Sequence, residues 1–519
     1  MSNDISLEGF EGHLVSTMDE AEGQLRRDDT FRVAILGDWS GRANRRAVAT
    51  ADELAIWRPR SVDRDNLDET MNKLGVRLSL PIGGRTNISL EFNKLDDFHP
   101  DYIFDQAQLF HALRELRARL SDQTTFADAA KEVRSRLHIE SSPQPAAASL
   151  AESKPQSAGE GSLLDQILAG NETSSANQTV NTQAVDSVAP DLRSFVHEIV
   201  RPYLLADNAE QESLIAAVDS AISEQMRSVL HNPEFQSLEA AWRALHFLVT
   251  RLETGSELKL YLLDISQEEL QSALANSDGN QNGIYKLVVN NSTGTFGGDS
   301  WSLLLGNYTF DYTFSDAESL KRLSSIAADA GAPFVCAASP TLVGSPSLFQ
   351  TPDPSDWKIN AEKPAIASWD ELRSQRDSNY IGLALPRFLV RLPYGSATEP
   401  TEKFDFEEFE GGNISHEHYL WANPSFAVCY VLAQGFTQGG PEFRPEEMLE
   451  IEGLPLHVYE VDGETTVKPC AEVLMTVDAA TEIIDRGVMP VISMKGTDVI
   501  RVGILQSISS SRLAGSWER

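Results

Sequence analysis

Two histidines, His416 and His418, stand two residues apart in the segment SHEHYLW, a spacing that would bring both imidazoles to one side of a strand. A zinc site would need a third ligand and outer partners to orient the rings, and the sequence identifies neither, so the pair reads as exposed loop histidines. Gly37-Asp38-Trp39-Ser40-Gly41-Arg42 has the outline of a phosphate loop at the end of a β-rich run. It lacks the GxxxxGK[ST] spacing and the lysine, which argues against nucleotide binding there. Thr295-Phe296-Gly297-Gly298-Asp299 is glycine-rich without the register of a dinucleotide loop and reads as a tight turn. There is no G-x-S-x-G elbow, and Cys336, Cys429 and Cys470 are far apart with no CxxC pair, which indicates neither a zinc site nor a disulfide framework. Carboxylates are abundant, but abundance describes a solvated surface rather than a pair held at catalytic distance. No constellation of an active site is present, so no enzyme, metal or cofactor is expected.

The elements that would have to position any such residues belong to a chain of 519 residues with 43 Lys+Arg against 77 Asp+Glu, a formal charge of −34. That length allows roughly three to four domains, or two larger ones. The carboxylate excess repels phosphate backbones, so nucleic acid is disfavoured as a partner, and a basic partner is favoured. The N-terminal residues carry acids where a signal peptide needs basic residues and an apolar core. No apolar run approaches the ~20 residues that span a bilayer. We therefore expect no membrane insertion and a reducing cytoplasm.

Residues 141–190 are rich in Ser, Ala, Gln, Asn and Pro, without aromatic residues, and read as a disordered linker. It divides the chain into a small unit, 1–140, and a large unit, 191–519. Inside the linker an apolar island carries Leu163, Leu164, Ile167 and Leu168; the last three fall at i, i+3 and i+4, on one face of about two helical turns. Isolated helices that short are marginal, so the exposed face implies a docking surface, on this protein or another, or else an incidental contact with the parent domain. In the small unit, Phe31–Leu36 reads as a buried strand. Asp65 can cap a helix carrying Leu67, Met71, Leu74 and Leu78, and Arg77–Leu80 with Ile88–Phe92 reads as a strand pair. Pro100 opens a helix through Leu120. In the large unit we expect helices over Leu192–Leu205, Glu210–Leu230 and Glu234–Leu252, then strands Leu258–Leu263, Gly283–Val289 and Trp301–Asn307. A helix from Asp316 to Ala330 and the strand Phe334–Ala338 follow. The alternation makes the fold class α/β: two units with mixed sheets covered by helices. Phe404–Glu410 and Glu442–Glu464 concentrate negative charge and read by default as solvated acidic faces, or more sharply as surfaces for a basic partner.

These blocks also carry a family resemblance. Phe31 to Arg42 (FRVAILGDWSGR), Val62 to Asp68 (VDRDNLD) and Leu95 to Asp101 (LDDFHPD) resemble the small subunit (TssB/ImpB/VipA) of the contractile sheath of the bacterial type VI secretion system. The large unit resembles the large sheath subunit (TssC/ImpC/EvpB/VipB), through His231 to Arg243 (HNPEFQSLEAAWR), Thr295 to Gly298, Gly306 to Asp311 (GNYTFD), Ala337 to Pro340, Leu385 to Gly395 (LPRFLVRLPYG), Trp421 to Asn423 and Lys495 to Asp498. The resemblance implies a non-enzymatic structural protein, a fused small and large subunit. Its implied partners are other sheath subunits, an inner-tube hexamer protein (Hcp-like), an AAA+ disassembly ATPase (ClpV-like) and baseplate components. It also implies that Leu163, Leu164, Ile167 and Leu168 form the helix the ATPase grasps. In the family, terminal strands interlock neighbouring subunits. Here the residues before Phe31 are acidic and poor in β-formers, and the chain ends at Arg519 soon after Lys495-Gly-Thr-Asp498. The alternative expectation is a sheath-derived capping, initiating or adaptor protein that does not polymerise.

Overall fold

The computed structural model describes residues 30–82, 86–138, 190–200, 211–275, 282–291, 300–410, 415–447, 449–461, 463–510 and 512–517. The strands are β1 (Phe31–Gly37), β2 (Arg60–Val62), β3 (Val76–Ile82), β4 (Thr86–Phe92), β5 (Leu258–Asp264), β6 (Leu303–Phe310), β7 (Phe334–Ala338) and β8 (Ile381–Leu385). After them come β9 (Phe388–Leu389), β10 (Trp421–Ala422), β11 (Glu450–Ile451), β12 (Val458–Val461), β13 (Glu464–Val467), β14 (Met489–Ser493) and β15 (Ile500–Val502). The helices are α1 (Ala51–Ile56), α2 (Leu67–Leu74), α3 (Pro100–Gln106), α4 (Gln108–Ser121), α5 (Phe126–His138), α6 (Pro190–Val200) and α7 (Gln211–Leu230). They continue with α8 (Pro233–Arg251), α9 (Gln267–Ala275), the single turn α10 (Gly283–Tyr285), α11 (Phe314–Ala330), α12 (Lys363–Ser374), α13 (Ser425–Gly439) and α14 (Val477–Asp485).

The described chain forms two compact units, one of residues up to Ala107 together with those from Ser223 onward, the other of Gln108–Ile222. The first is built on a nine-stranded mixed sheet in the order β11-β15-β14-β8-β7-β6-β1-β5-β2. β1 runs parallel to β5 on one side, Val33 opposite Leu260, and to β6 on the other, Val33 opposite Leu303. A strand from the sequence's first segment therefore lies inside a sheet otherwise drawn mainly from residues beyond 250. Its composition explains the position. Phe31, Val33, Ala34, Ile35 and Leu36 are all buried, the continuous apolar run of a strand covered on both faces. β7 is buried throughout as well. By contrast β3 alternates buried and exposed residues in its hairpin with β4, as a strand with one wet face does.

Helix ends follow local capping chemistry. Asn232 accepts hydrogen bonds from the Glu234 and Phe235 amides (3.0 and 3.4 Å) and Pro233 fills the first turn of α8. Thr313 accepts from the Asp316 amide, and α11 stops at Gly331, whose φ of +65° lies in the left-handed region. Core residues such as Leu36, Leu263, Tyr308, Phe334 and Leu372 form one continuous apolar cluster over the sheet.

In the second unit α4 buries Leu109, Leu113, Leu116 and Leu120, and the N-terminal part of α7 buries Leu214 and Val218. Arg117 holds Asp219 through two guanidinium nitrogens (2.5 and 3.1 Å), and the Gln211 amide donates to the Leu120 carbonyl.

Several expectations are corrected. Gly283–Val289 is helical rather than a strand: the Asn282 side chain caps it by accepting from the Ile284 amide, and a π-helical turn, Lys286–Asn290, follows. A short apolar run with Ile284, Leu287 and Val288 fits either element, and the cap decides it. The helix expected from Pro100 to Leu120 is two, because Ala107 is extended (ψ 129°) between α3 and α4. The residue flanking α2 is Asn66 rather than Asp65, and Asn66 makes no side-chain cap. Residues 201–210, including the expected helix end at Leu205, lie outside the described residues.

Candidate functional site

The end of β1 is where the first segment meets the rest of its unit. Gly37 passes its carbonyl to the Ile265 amide (2.8 Å), and the chain turns through Asp38 to Arg42. The Trp39 and Ser40 amides and the Ser40 hydroxyl all donate to the Asp264 carboxylate (2.8, 3.1 and 2.8 Å). Asp38 accepts from the Arg42 and Ala43 amides (2.6 and 2.8 Å). The amide cradle that a phosphate loop would offer to a ligand is thus filled by carboxylates of the chain itself. Burial raises the Asp264 carboxyl above its ordinary range, and those hydrogen bonds partly offset it. Gly41 must be glycine: its φ is +76°, and a Cβ would sit 2.4 Å from the Arg77 carbonyl oxygen.

Arg42 forks onto Glu269 of α9 (2.8 and 2.6 Å), which also accepts from the Ala49 and Ser266 amides (2.8 and 3.0 Å). Burial alone would raise the Glu269 carboxyl, but the Arg42 fork and these amides bring it below its ordinary value. Trp242 of α8 donates from Nε1 to the Trp39 carbonyl (2.9 Å), and the two indoles meet edge to face at 5.3 Å. Phe92 and Phe98 stack at 4.2 Å and together receive Phe235 edge-on. Phe104 stacks on Phe404 (4.6 Å), Asp101 accepts from the Glu402 and Lys403 amides, and Lys403 pairs with Asp105. These contacts join residues before 107 to residues after 223 along one seam.

Beneath the seam lies a buried ionic network. Arg391, 3% exposed at its side chain, donates to Glu239 (2.8 and 3.3 Å), to Glu408 (2.8 and 3.2 Å) and to the Leu392 carbonyl. Arg243 reaches Glu239 (2.7 Å) and the Tyr394 hydroxyl (2.8 Å), and the Tyr394 amide donates to Glu408 (2.8 Å). Burial pushes the Glu408 carboxyl up, and Arg391, with the His231 ring 3.4 Å away and the hydrogen bond from the Tyr394 amide, overcomes it and holds the group at about 2. Two guanidiniums balance two carboxylates. Losing one partner of such a set costs about 3–5 kcal/mol, because the remaining charges stay buried.

Residues 212–509 match the VipB (EvpB) family, tail sheath N-terminal domain, and residues 18–153 match VipA of the type VI secretion system. The chain belongs to the VipB tail sheath family. It is also similar to the type VI secretion system sheath protein TssC1 of Pseudomonas aeruginosa, 37% identical over 311 residues, 58% of this chain. It spans 62% of that relative's length. With the family assigned, the seam acquires a meaning: it joins the VipA-matching segment to the VipB-matching one.

The residues singled out in the sequence of this VipB-family chain fall in different places. His416 and His418 do not share a site. His416 is buried, stacks on Phe349 (4.0 Å) and receives the Lys468 ammonium at Nδ1 (2.9 Å), while His418 stacks on His231 (3.8 Å). The expectation of exposed loop histidines is corrected by that packing. Burial, with His231 adding to it, lowers the His418 pKa. Glu472 accepts from Arg387 through backbone and guanidinium and is held at about 2, His416 and Arg387 outweighing burial. Phe404–Glu410 is not simply a solvated face either, since Glu408 and Phe406 are buried. All three cysteines are buried, and burial raises their thiols, Cys470 to about 11. Among the described residues no group of three or more His, Cys, Asp or Glu is placed to hold a metal ion. No described helix is long and apolar enough to cross a membrane. Thr295–Gly298 and the island residues Leu163, Leu164, Ile167 and Leu168 lie outside the described residues.

Charge and spacing alone do not disclose the network around Arg391. Its signal was an arginine inside the apolar run Phe388-Leu-Val-Arg391-Leu-Pro, where a charge needs a buried partner.

Proposed function

We propose that this chain is a structural protomer of a type VI secretion sheath, in which one polypeptide supplies both the small-subunit part (1–140) and the large-subunit part (191–519), joined through 141–190. The observation that carries it is β1, from the VipA-matching segment, lying between β5 and β6 of the VipB-matching segment and sealed by Trp39–Trp242 and Arg42–Glu269. A strand in that position ties the described residues up to 107 into the same sheet as those from 223 onward, which suits a protomer that must carry contraction as one piece. Fusion fixes their stoichiometry and raises their effective concentration for each other.

The role is non-enzymatic: copies assemble in the cytoplasm around an Hcp-like inner tube on a baseplate, and rearranged contacts between copies drive the tube outward. Electron microscopy of the purified protein, alone and with tube protein, tests this. Long tubules are the expected result, and persistent monomers under both conditions would overturn it. The island Leu163, Leu164, Ile167 and Leu168 serves as the docking helix for a ClpV-like AAA+ ATPase. Leu164→Asp with Leu168→Asp abolishes capture of that ATPase in a pull-down if the assignment holds; undiminished capture refutes it.

A further inference from the structure

In a chain of net charge −34, one concave surface is strongly cationic. A cavity of about 740 Å³ beside β2, the terminal strand of the large sheet, is lined by Arg42, Arg45, Arg58, Arg60, Lys73 and Arg77, with Asp264 the carboxylate among its lining residues. Arg42 and Lys73 are neutralised by Glu269 and Glu69. Arg58, Arg60 and Arg77 are exposed and make no ion pair among the described residues. Arg45 donates to the Ser40 hydroxyl and the Gly75 carbonyl, and burial, with repulsion from Arg77, depresses its pKa. Trp57, Pro59 and Leu74 give the cavity an apolar wall.

A separate two-stranded hairpin carries the complement. The hairpin β12–β13, which follows β11 in the chain, pairs Val461 with Glu464 and Glu460 with Thr465. Glu460 and Glu464 are exposed and make no ion pair among the described residues. Val458 and Val461 beside them are 52% and 42% exposed.

We propose that the hairpin of one copy docks into the cationic cavity of a second copy, carboxylates on Arg58, Arg60 and Arg77 and valines against Trp57 and Leu74. A free phosphate compound fits less well, because the Trp39 and Ser40 amides that would cradle it are already taken by Asp264. Because the two surfaces are different, the contact is heterologous, each copy offering its hairpin to one neighbour and its cavity to another. It also explains how copies of so acidic a chain can approach, since each contact places opposite charges face to face. The inference deepens the sheath reading and rests on it.

Two charge-reversed proteins test it: Arg58→Glu with Arg60→Glu, and Glu460→Lys with Glu464→Lys. All four side chains are exposed, so circular dichroism should show both proteins folded; should a double variant misfold, Arg60→Ala and Glu464→Ala take its place. Each variant alone should need about tenfold or more protein to associate, read by sedimentation velocity and microscopy. An equal mixture should regain association, because every acidic surface again faces a basic one. Assembly of either variant at wild-type concentration, or a mixture that fails to regain it, overturns the inference while leaving the sheath reading intact. If the wild type forms no tubules, the sheath reading fails. Sedimentation at low salt then still decides the contact by whether wild-type association is lost in each variant and regained on mixing.

Discussion

Replacing Glu408 by glutamine keeps the side chain's shape and removes one charge from the balanced set around Arg391. In the wild type Glu408 is held at about 2, so it is ionised at neutral pH by its interactions with Arg391, His231 and the Tyr394 amide. A displacement of about two units from the ordinary glutamate value corresponds to about 3 kcal/mol. The same figure follows from the cost of leaving a buried guanidinium half-compensated. The sign is fixed by linkage: a carboxyl whose folded pKa is depressed contributes fully above its unfolded pKa, about 4.3, and the contribution disappears as pH falls toward 2. Glu408→Gln should therefore lose about 3 kcal/mol at pH 7 and progressively less below pH 4. Urea unfolding followed by tryptophan fluorescence measures it, as a midpoint lower by about 1 M. A loss under about 0.5 kcal/mol, the range of ordinary surface substitutions, would refute the reasoning. So would a large loss that stays constant down to pH 2, since that would trace the effect to packing rather than charge.

Gly41→Ala places a Cβ against the Arg77 carbonyl at a left-handed backbone position, and should destabilise the protein by about 2 kcal/mol or more, seen as a lower melting temperature. Lys468 is buried among Phe349, Tyr419 and Trp421, and burial lowers its pKa to about 8 despite the carboxylates of Glu472 and Glu417. A lysine depressed in the fold costs stability while charged, so wild-type stability should rise as pH increases from 8 toward the unfolded value of about 10.4. Lys468→Met should remove that slope in unfolding curves taken between pH 7 and 10.

The local elements were largely legible because their signals are local. The buried strand Phe31–Leu36, the α8 periodicity of Phe235, Leu238, Trp242 and Leu245, and the β3–β4 hairpin all follow from neighbouring residues. What the pattern could not disclose is where β1 goes, since its partners Leu258–Asp264 and Leu303–Phe310 lie more than 200 residues away and an apolar strand fits any buried slot. The two histidines show the same limit. His416 and His418 look alike in sequence, yet distant Phe349 and His231 draw them into separate stacks. Glu408 was indistinguishable from the acids around it until Arg391, 17 positions earlier, was seen beside it.

The middle position of β1 also sets a schedule for synthesis. β1 leaves the ribosome well before its partners, the second of which ends at Phe310, 273 residues after Gly37. At 5–20 residues per second, that is roughly fifteen seconds to a minute during which an apolar strand has no native partner on one or both edges. An unpaired strand of that kind invites pairing with other nascent chains. Drawing both partner strands from the same polypeptide limits the wait to the duration of translation, whereas a separately made small chain would have to find its large partner by diffusion.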